Sequence, residues 1–379
     1  MTTKNICPAT LACGYDGYSP IAIKYLFSGH KAKPVITFPW AEERDSMPAL
    51  LVRGSMRLCR KQQAPSHRLE RTLSTADGKR FPIAANKHLT MQIASQIYNI
   101  QTAVNGLCFT QNNEPLYVTQ YSQARVYQGK RTKDIASIMD ISEEQPLYDS
   151  ITWLEVASVI KQIAPAWPVA LERFFVMLVF NYIFCNESCD LYSFSIYEPH
   201  PGDYQLVPAR DFINSAIIRG LNSSQPREFS PDFKKSGFYV ETGHPCLEDF
   251  KLFASMIGLR EERVTRLLKP FTELPVSVYL LIDYSFLSDN EKEEYKRQID
   301  YRVQLLNGTY RPIEALTETL SEDEELQFED YGVLPQEQAE VIDTQSQELP
   351  EEPTQDASKE DSESETESSS LTYGSLFDF

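Results

Sequence analysis

A chain of 379 residues that is 42% hydrophobic and 11% aromatic has ample apolar surface for one large domain, or two ordinary ones with appendages. Its net charge of −18 sits at one end. From Glu318 to Phe379 twenty acids face a single base, Lys359, giving −19, while the other 34 acids and 35 bases come to +1. A neutral body with an acidic tail offers no basic groove to a phosphate backbone, so nucleic acid is not expected as a direct partner.

The N-terminus, from Met1 to Pro8, has no basic stretch followed by an apolar run, so no secretory signal is expected and a soluble, cytoplasmic protein is. Seven cysteines, an odd number and scattered, in a chain for which no export signal is expected, argue against a disulfide framework. Cys185 and Cys189 lie four apart, and His88 and His244 are isolated, which is not the spacing of a structural zinc site. Residues 1–48 hold short turn-rich pieces, such as Cys13-Gly-Tyr-Asp-Gly-Tyr-Ser-Pro, and an apolar stretch at 34–40.

Periodic segments begin near residue 49. The stretch from His88 to Tyr98 puts Leu89, Ile93 and Ile97 on one helical face. Residues 106–110 and 115–119, flanking Asn112-Asn-Glu, read as a β-hairpin. Leu154–Ile163 reads as a helix closed by Pro165, and Pro168 fits the first turn of the next, which turns Leu171, Phe174, Phe175, Leu178 and Tyr182 inward. The most apolar run, Phe174–Cys185, is twelve residues long. A bilayer needs roughly 20, so a buried core helix is expected rather than a membrane span. Amphipathic helices are expected over 247–257, 261–268 and 289–306. From about 317 the chain becomes acidic and rich in Ser, Thr, Gln and Pro; it cannot bury enough apolar surface to offset its ordering entropy, so a disordered tail is expected. Its last residues, Leu371 to Phe379, are either a solvated end or a docking segment for a partner. Mixed elements first and helices after give an α+β, two-lobe pattern.

One stretch carries a resemblance. A helix ends in Phe180-Asn-Tyr-Ile-Phe-Cys-Asn-Glu-Ser-Cys-Asp-Leu-Tyr-Ser-Phe-Ser, and Leu206-Val-Pro-Ala-Arg-Asp-Phe-Ile-Asn follows. This resembles the heart of the HipA-family serine/threonine kinases, toxins of bacterial toxin–antitoxin systems, with a catalytic loop like F-N-Y-L-x-x-N-G-D-x-H-x-K-N-F-S and a motif like L-x-P-A-Y-D-L-L-N. Upstream, Asn86-Lys-His-Leu-Thr-Met-Gln-Ile-Ala resembles the start of the family's small-lobe helix. The resemblance implies an α+β, HipA-type protein-kinase-like fold over 49–316, with a mixed small lobe to about 150 and a helical large lobe after it. Residues 1–48 form a segment akin to a cysteine knuckle that has lost its ligands: Cys7 and Cys13 remain, with Ser19 and Ile21 near the later ligand positions.

The chemistry explains what the family needs. Phosphoryl transfer requires a carboxylate to orient the attacking hydroxyl, and a carboxylate with an amide oxygen to hold Mg²⁺ against the phosphates. Carried over by the resemblance, the base falls on Ser188 and the preceding glycine on Glu187. The family histidine falls on Asp190, and the metal-binding asparagine on Ser193. Asp211 alone is retained, for the metal. Asp190 and Glu187 are candidate substitutes for the base. The glycine-rich loop keeps Gly54, the nucleotide lysine falls near Ser74, its partner glutamate is replaced by Lys87, and the hinge falls at Tyr121. Lys87 reads either as a phosphate contact from the helix or as a solvated charge at its N-terminus.

Loss at several independent points implies a pseudokinase, a protein-binding or regulatory module whose partner is an antitoxin-like or paralogous protein, with no cofactor. The alternative is an active Mg-ATP-dependent kinase with relocated catalytic residues.

Overall fold

The computed structural model describes residues 5–36, 51–56, 67–72, 81–120, 132–145, 147–218 and 227–310. The chain divides into two units, Met1–Tyr310 and Arg311–Phe379. The acidic tail with its terminal segment, and the expected nucleotide positions Ser74 and Tyr121, lie outside the described residues.

A four-stranded antiparallel sheet begins the fold, formed by β1 (Leu51–Met56), β2 (His67–Thr72), β3 (Asn105–Phe109) and β4 (Pro115–Gln120) in the order β1-β2-β4-β3. Gly54 lies in β1 opposite Leu69 of β2. The expected hairpin is β3–β4, turning through Asn113 at φ 62°, a left-handed conformation asparagine tolerates.

Residues 5–36 belong to this lobe rather than standing apart from it. Cys7, Ala9, Leu26 and Phe27 share a buried cluster with Leu69 of β2, Cys108 of β3 and Val118 of β4. The fit depends on Gly106, where a Cβ would meet Leu26 Cδ2 at 2.7 Å and Ala9 Cβ at 2.8 Å. The segment is tied down by Leu107 N–H donating to Pro8 O (2.8 Å) and by the Tyr18 hydroxyl donating to Leu107 O (2.7 Å). At the positions expected for a knuckle, Cys7 is buried and its sulfur accepts from Ser19 N–H (3.1 Å); Ser19 itself caps α1 (Pro20–Tyr25), and Cys13 is exposed.

Helix α2 (Ile83–Gln96) crosses this sheet and starts five residues earlier than its apolar stripe suggests, directly after Pro82. Every residue from Ile83 to Ala94 is buried, polar ones included. A second, three-stranded sheet, in the order β5-β6-β7, follows: β5 (Lys133–Asp134), β6 (Ser195–His200) and β7 (Asp203–Leu206). A short helix, α3 (Ile135–Met139), is capped by Asp134. The lobes are stitched where Ala209 N–H donates to Gln101 O and Ala103 N–H donates to Ala209 O, both at 2.8 Å.

The large lobe is helical. Helix α4 (Trp153–Ile163) starts at a capping box in which Thr152 and Glu155 satisfy each other's backbone N–H groups. Helix α5 (Trp167–Ile183) takes Pro168 in its first turn, as expected. It is apolar on almost all sides because it is the core: Phe174 meets Phe194 at 5.0 Å and Trp153 at 6.0 Å edge-on, and Phe180 stacks on Phe184 at 4.3 Å. After α6 (Gly237–Thr242) come α7 (Leu247–Met256), α8 (Glu261–Thr272), α9 (Val276–Tyr284) and α10 (Asp289–Leu306). Helix α8 runs past Pro270, four residues beyond the expected end at 268, because a proline in the last turn forfeits only one backbone bond. Helix α9 carries no clear polar face and is not read from the sequence as a separate element. Among the described residues no helix is long and apolar enough to cross a membrane.

Candidate functional site

The site lies where α2, β2, β4 and the loops after α5 and β7 converge. At its centre is Lys87, on the first turns of α2. The side chain is buried, not solvated as a lysine near a helix start would be. Its Nζ donates to Glu70 Oε2 at 2.8 Å, forms an ion pair with Asp211 Oδ1, and sits 4.7 Å from the Tyr117 ring centroid. Burial opposes the charge on Lys87, but the attraction of Asp211 and then Glu70 outweighs it and holds the ammonium's pKa above the ordinary lysine value. Among the described residues the Tyr117 hydroxyl finds no hydrogen-bond partner; burial, then the two carboxylates, push its pKa well up, so it stays neutral.

Of the two sequence readings of Lys87, the solvated charge is corrected. The side chain turns inward because every side of α2 is covered, and the carboxylates on β2 and after β7 supply the compensation a buried cation needs. Glu70 went unnoticed in the sequence. It sits on β2, so the ion pair sets an acid on the strand against a base on the helix.

Two further contacts fix this geometry. Asn86 Nδ2 donates to Asn214 O (2.8 Å), and Asn214 N–H donates back to Asn86 Oδ1 (3.0 Å), so α2 is strapped to the loop that carries Asp211. Thr90 is hydrogen-bonded to Asn86 O (3.0 Å) and to the Tyr295 hydroxyl on α10 (2.9 Å).

The loop after α5 is largely self-satisfied. Asn186 Nδ2 donates to Asn181 Oδ1 (2.9 Å) and, more weakly, to Asp211 O (3.4 Å). The Ser188 hydroxyl, at the expected base position, donates to Asn186 Oδ1 (3.0 Å). Asp190 caps the 3₁₀ turn Leu191–Ser193: its Oδ1 accepts from Tyr192 N–H and Ser193 N–H (both 3.0 Å), while Ser193 Oγ accepts from Asp190 N–H (3.1 Å). Burial pushes the Asp190 carboxyl above its usual range, more than the hydrogen bonds from Ser193 and the turn's backbone pull it down. Glu187 points the other way, to Arg302 Nη2 of α10 at 2.6 Å.

Both candidate substitute bases are thus engaged in holding the loop, and Ser193, at the second expected metal position, serves the same turn. Among the described residues no group of three or more His, Cys, Asp and Glu gathers at metal-ligand spacing. Asp211 is the one expected metal ligand with a carboxylate, and an ammonium already sits on it. These residues do not fit a Mg²⁺ site.

No protein-family model matches this chain, and no curated protein sequence matches it. Among solved structures, the HipA of a Shewanella oneidensis MR-1 toxin–antitoxin system, determined with HipB and its operator DNA, is similar over 70% of this chain and 67% of its own, at 14% identity and a TM-score of 0.52. The Helicobacter pylori proinflammatory kinase CtkA is similar over 67% of this chain and 92% of its own, at 14% identity and a TM-score of 0.42. The likeness to HipA shows a HipA-like kinase fold, and it is a statement of fold.

Proposed function

We propose that this chain is a non-catalytic member of the HipA-like kinase fold, a pseudokinase that acts by binding a protein partner, an antitoxin-like or paralogous component of a toxin–antitoxin system. The observation that carries the reading is the Lys87 ammonium seated on Asp211. A carboxylate neutralised by a permanent internal cation is a poor ligand for Mg²⁺, because the metal would have to displace a buried, charge-compensating group. Ser188 has no carboxylate to orient an attacking hydroxyl or accept its proton, and Glu187 and Asp190 are spent on Arg302 and on the turn cap. Each such loss costs orders of magnitude in transfer rate. The partner assignment is supported by the fold alone: the similar HipA was determined together with HipB.

The test is a thermal-shift titration of the whole chain with ATP and Mg²⁺, with an EDTA control. A ligand that binds only the native state raises stability by RT ln(1 + [L]/Kd), so binding near saturation is visible as a rise in Tm. No magnesium-dependent shift is expected. A shift that depends on Mg²⁺ and vanishes in Asp211→Ala would sink the reading and make a transfer assay the next step. Binding is expected to appear in the exchanged pair Glu70→Lys with Lys87→Glu, which keeps the ion pair, reverses its polarity and uncovers Asp211.

A further inference from the structure

Beside the loop that carries Ser188 lies a cavity of about 270 Å³, walled in part by Asn186, Glu187 and Cys189. Trp153, Tyr182, Phe229 and Phe250 wall it with aromatic surface, and its charged groups are Glu187, Arg227 and Arg302. The two arginines are in different states. Arg302 is paired with Glu187 at 2.6 Å and donates to His244 Nδ1 at 3.3 Å. Arg227 has no carboxylate partner among the described residues. Its Nη1 donates to two backbone carbonyls, Tyr148 O (2.7 Å) and Ile151 O (2.6 Å), and its guanidinium carbon lies 5.1 Å from the Tyr148 ring and 5.7 Å from the Trp153 ring. Nε is buried and unpartnered, and Nη2 makes no hydrogen bond among the described residues.

The wall therefore holds two cations against one anion, a surplus of one positive charge in a mostly apolar cavity. His244 does not offset it. Arg302 occupies Nδ1 as an acceptor, which leaves Nε2–H as another donor, and burial followed by the Arg302 charge pulls the imidazole's pKa below 6.5, so it is neutral near pH 7. Donors without acceptors, one unbalanced cation and aromatic walls select an anion carrying an apolar body. A single surplus charge suits a monoanionic carboxylate better than a dianionic phosphate. The volume falls just under the roughly 300–1,000 Å³ of sites for drug-sized ligands, which excludes a nucleotide and suits a small ring-bearing acid.

We propose that this cavity is a binding site for a small aromatic carboxylate, its ring against Trp153 and Phe229 and its carboxylate facing Arg227. Because Asn181, Asn186 and Glu187 form part of the wall, a bound acid bears directly on the loop at the family's base position. The site does not depend on whether the chain transfers phosphate.

The experiment is a titration of the full chain with phenylacetate, 4-hydroxyphenylacetate and benzoate, read by tryptophan fluorescence and by thermal shift. Phenylacetamide serves as the neutral isostere and inorganic phosphate as the bare anion. Saturable binding of a carboxylate is expected, with the amide and phosphate weaker by about tenfold or more, as losing a charged hydrogen bond dictates. Arg227→Gln should weaken the carboxylate by a similar factor while leaving the amide unchanged. Because Arg227 also holds two backbone carbonyls, that variant is paired with Glu187→Gln, which removes the wall's acid and should tighten the carboxylate several-fold, by roughly the worth of one partly screened charge. The proposal is overturned if none of the three acids binds saturably, if the amide matches its acid, or if Glu187→Gln weakens binding.

Discussion

Helices α2 and α10 are of similar length, 14 and 18 residues, and use charge in opposite ways. In α2 the polar side chains point inward: Asn86, Lys87, His88, Thr90 and Gln92 are all buried, and each has a partner on another element or within the helix. In α10 most charges point outward and pair near the surface, Arg297 with Glu294 and Lys296 with Glu293 and with Asp283 of the neighbouring α9, while Tyr295, Ile299 and Leu306 hold the core. The difference shows which charges belong to the site. A charge that only solvates a helix finds its partner one turn away or at an exposed edge of a neighbour; one that shapes a cleft is buried and reaches across the fold. By that standard Lys87 is part of the cleft's architecture, and Arg302, the one α10 cation that reaches the cavity, belongs to the loop it braces.

The widest gap between the two helices should appear at Lys87. Replacing it with alanine strips Glu70 and Asp211 of the ammonium they share in a low-dielectric setting, where removing one partner of a buried pair costs about 3–5 kcal/mol. Urea unfolding of Lys87→Ala should show a matching drop in midpoint at constant slope. A loss below about 1 kcal/mol, the ceiling for an exposed pair, would mean the cation is solvated after all.

His88 sharpens the contrast through pH. Burial, only partly opposed by its hydrogen bond to Ala9 O, pulls the imidazole's pKa from 6.5 to about 4. A histidine whose pKa is depressed on folding binds protons more readily when unfolded, so its contribution is fully present above pH 6.5. It is lost as pH falls from 6.5 towards 4, by roughly 3 kcal/mol in total. Stability measured across that window should decline in the natural chain and stay flatter in His88→Gln. An equal slope in both would place the acid sensitivity elsewhere.

Asn86 comes next. Asn86→Ala removes both bonds of the strap to Asn214 and leaves a buried backbone N–H and carbonyl to find other partners, at about 1–3 kcal/mol. Hydrogen exchange at the Asn214 amide should accelerate by the same free energy. An unchanged rate would show that the loop carrying Asp211 is held without α2.

Much of this was legible from the residues. The hairpin, the helices α4, α5, α7, α8 and α10, the proline at the start of α5 and the resemblance from Phe180 to Asn214 are read from periodicity, capping residues and motif, while α6 and α9 are not. What escaped depends on tertiary partners. The apolar stripe of α2 marks one face, and only the N-terminal segment seated at Gly106 and the packing of α10 show that the other faces are buried too. Glu70 was missed because nothing in the stretch His67–Thr72 marks one charged side chain among several as the one that turns inward to a buried lysine. Arg227 drew no notice because an arginine beside a proline in a polar stretch resembles any surface cation until the carbonyls it grips are known. Spacing along the chain reports what can share a face, whereas compensation of charge is settled across it.

The smallest effect belongs to α10. Arg297 is 66% exposed at its side chain and pairs with Glu294 one turn back, at 2.6 Å. Water and salt already screen both groups, and two long side chains lose freedom to hold one geometry. Arg297→Ala should therefore cost about 0.3–0.5 kcal/mol at low ionic strength and nothing measurable at high salt. The salt dependence discriminates more sharply than the magnitude. Lys87, shielded from the solvent, should show a penalty that added salt scarcely changes, because counter-ions cannot approach a pair buried between two lobes. If salt erased the Lys87 effect as readily as that of Arg297, the two helices would be using charge in the same way, and the case for an internal cation in the cleft would fail with the distinction.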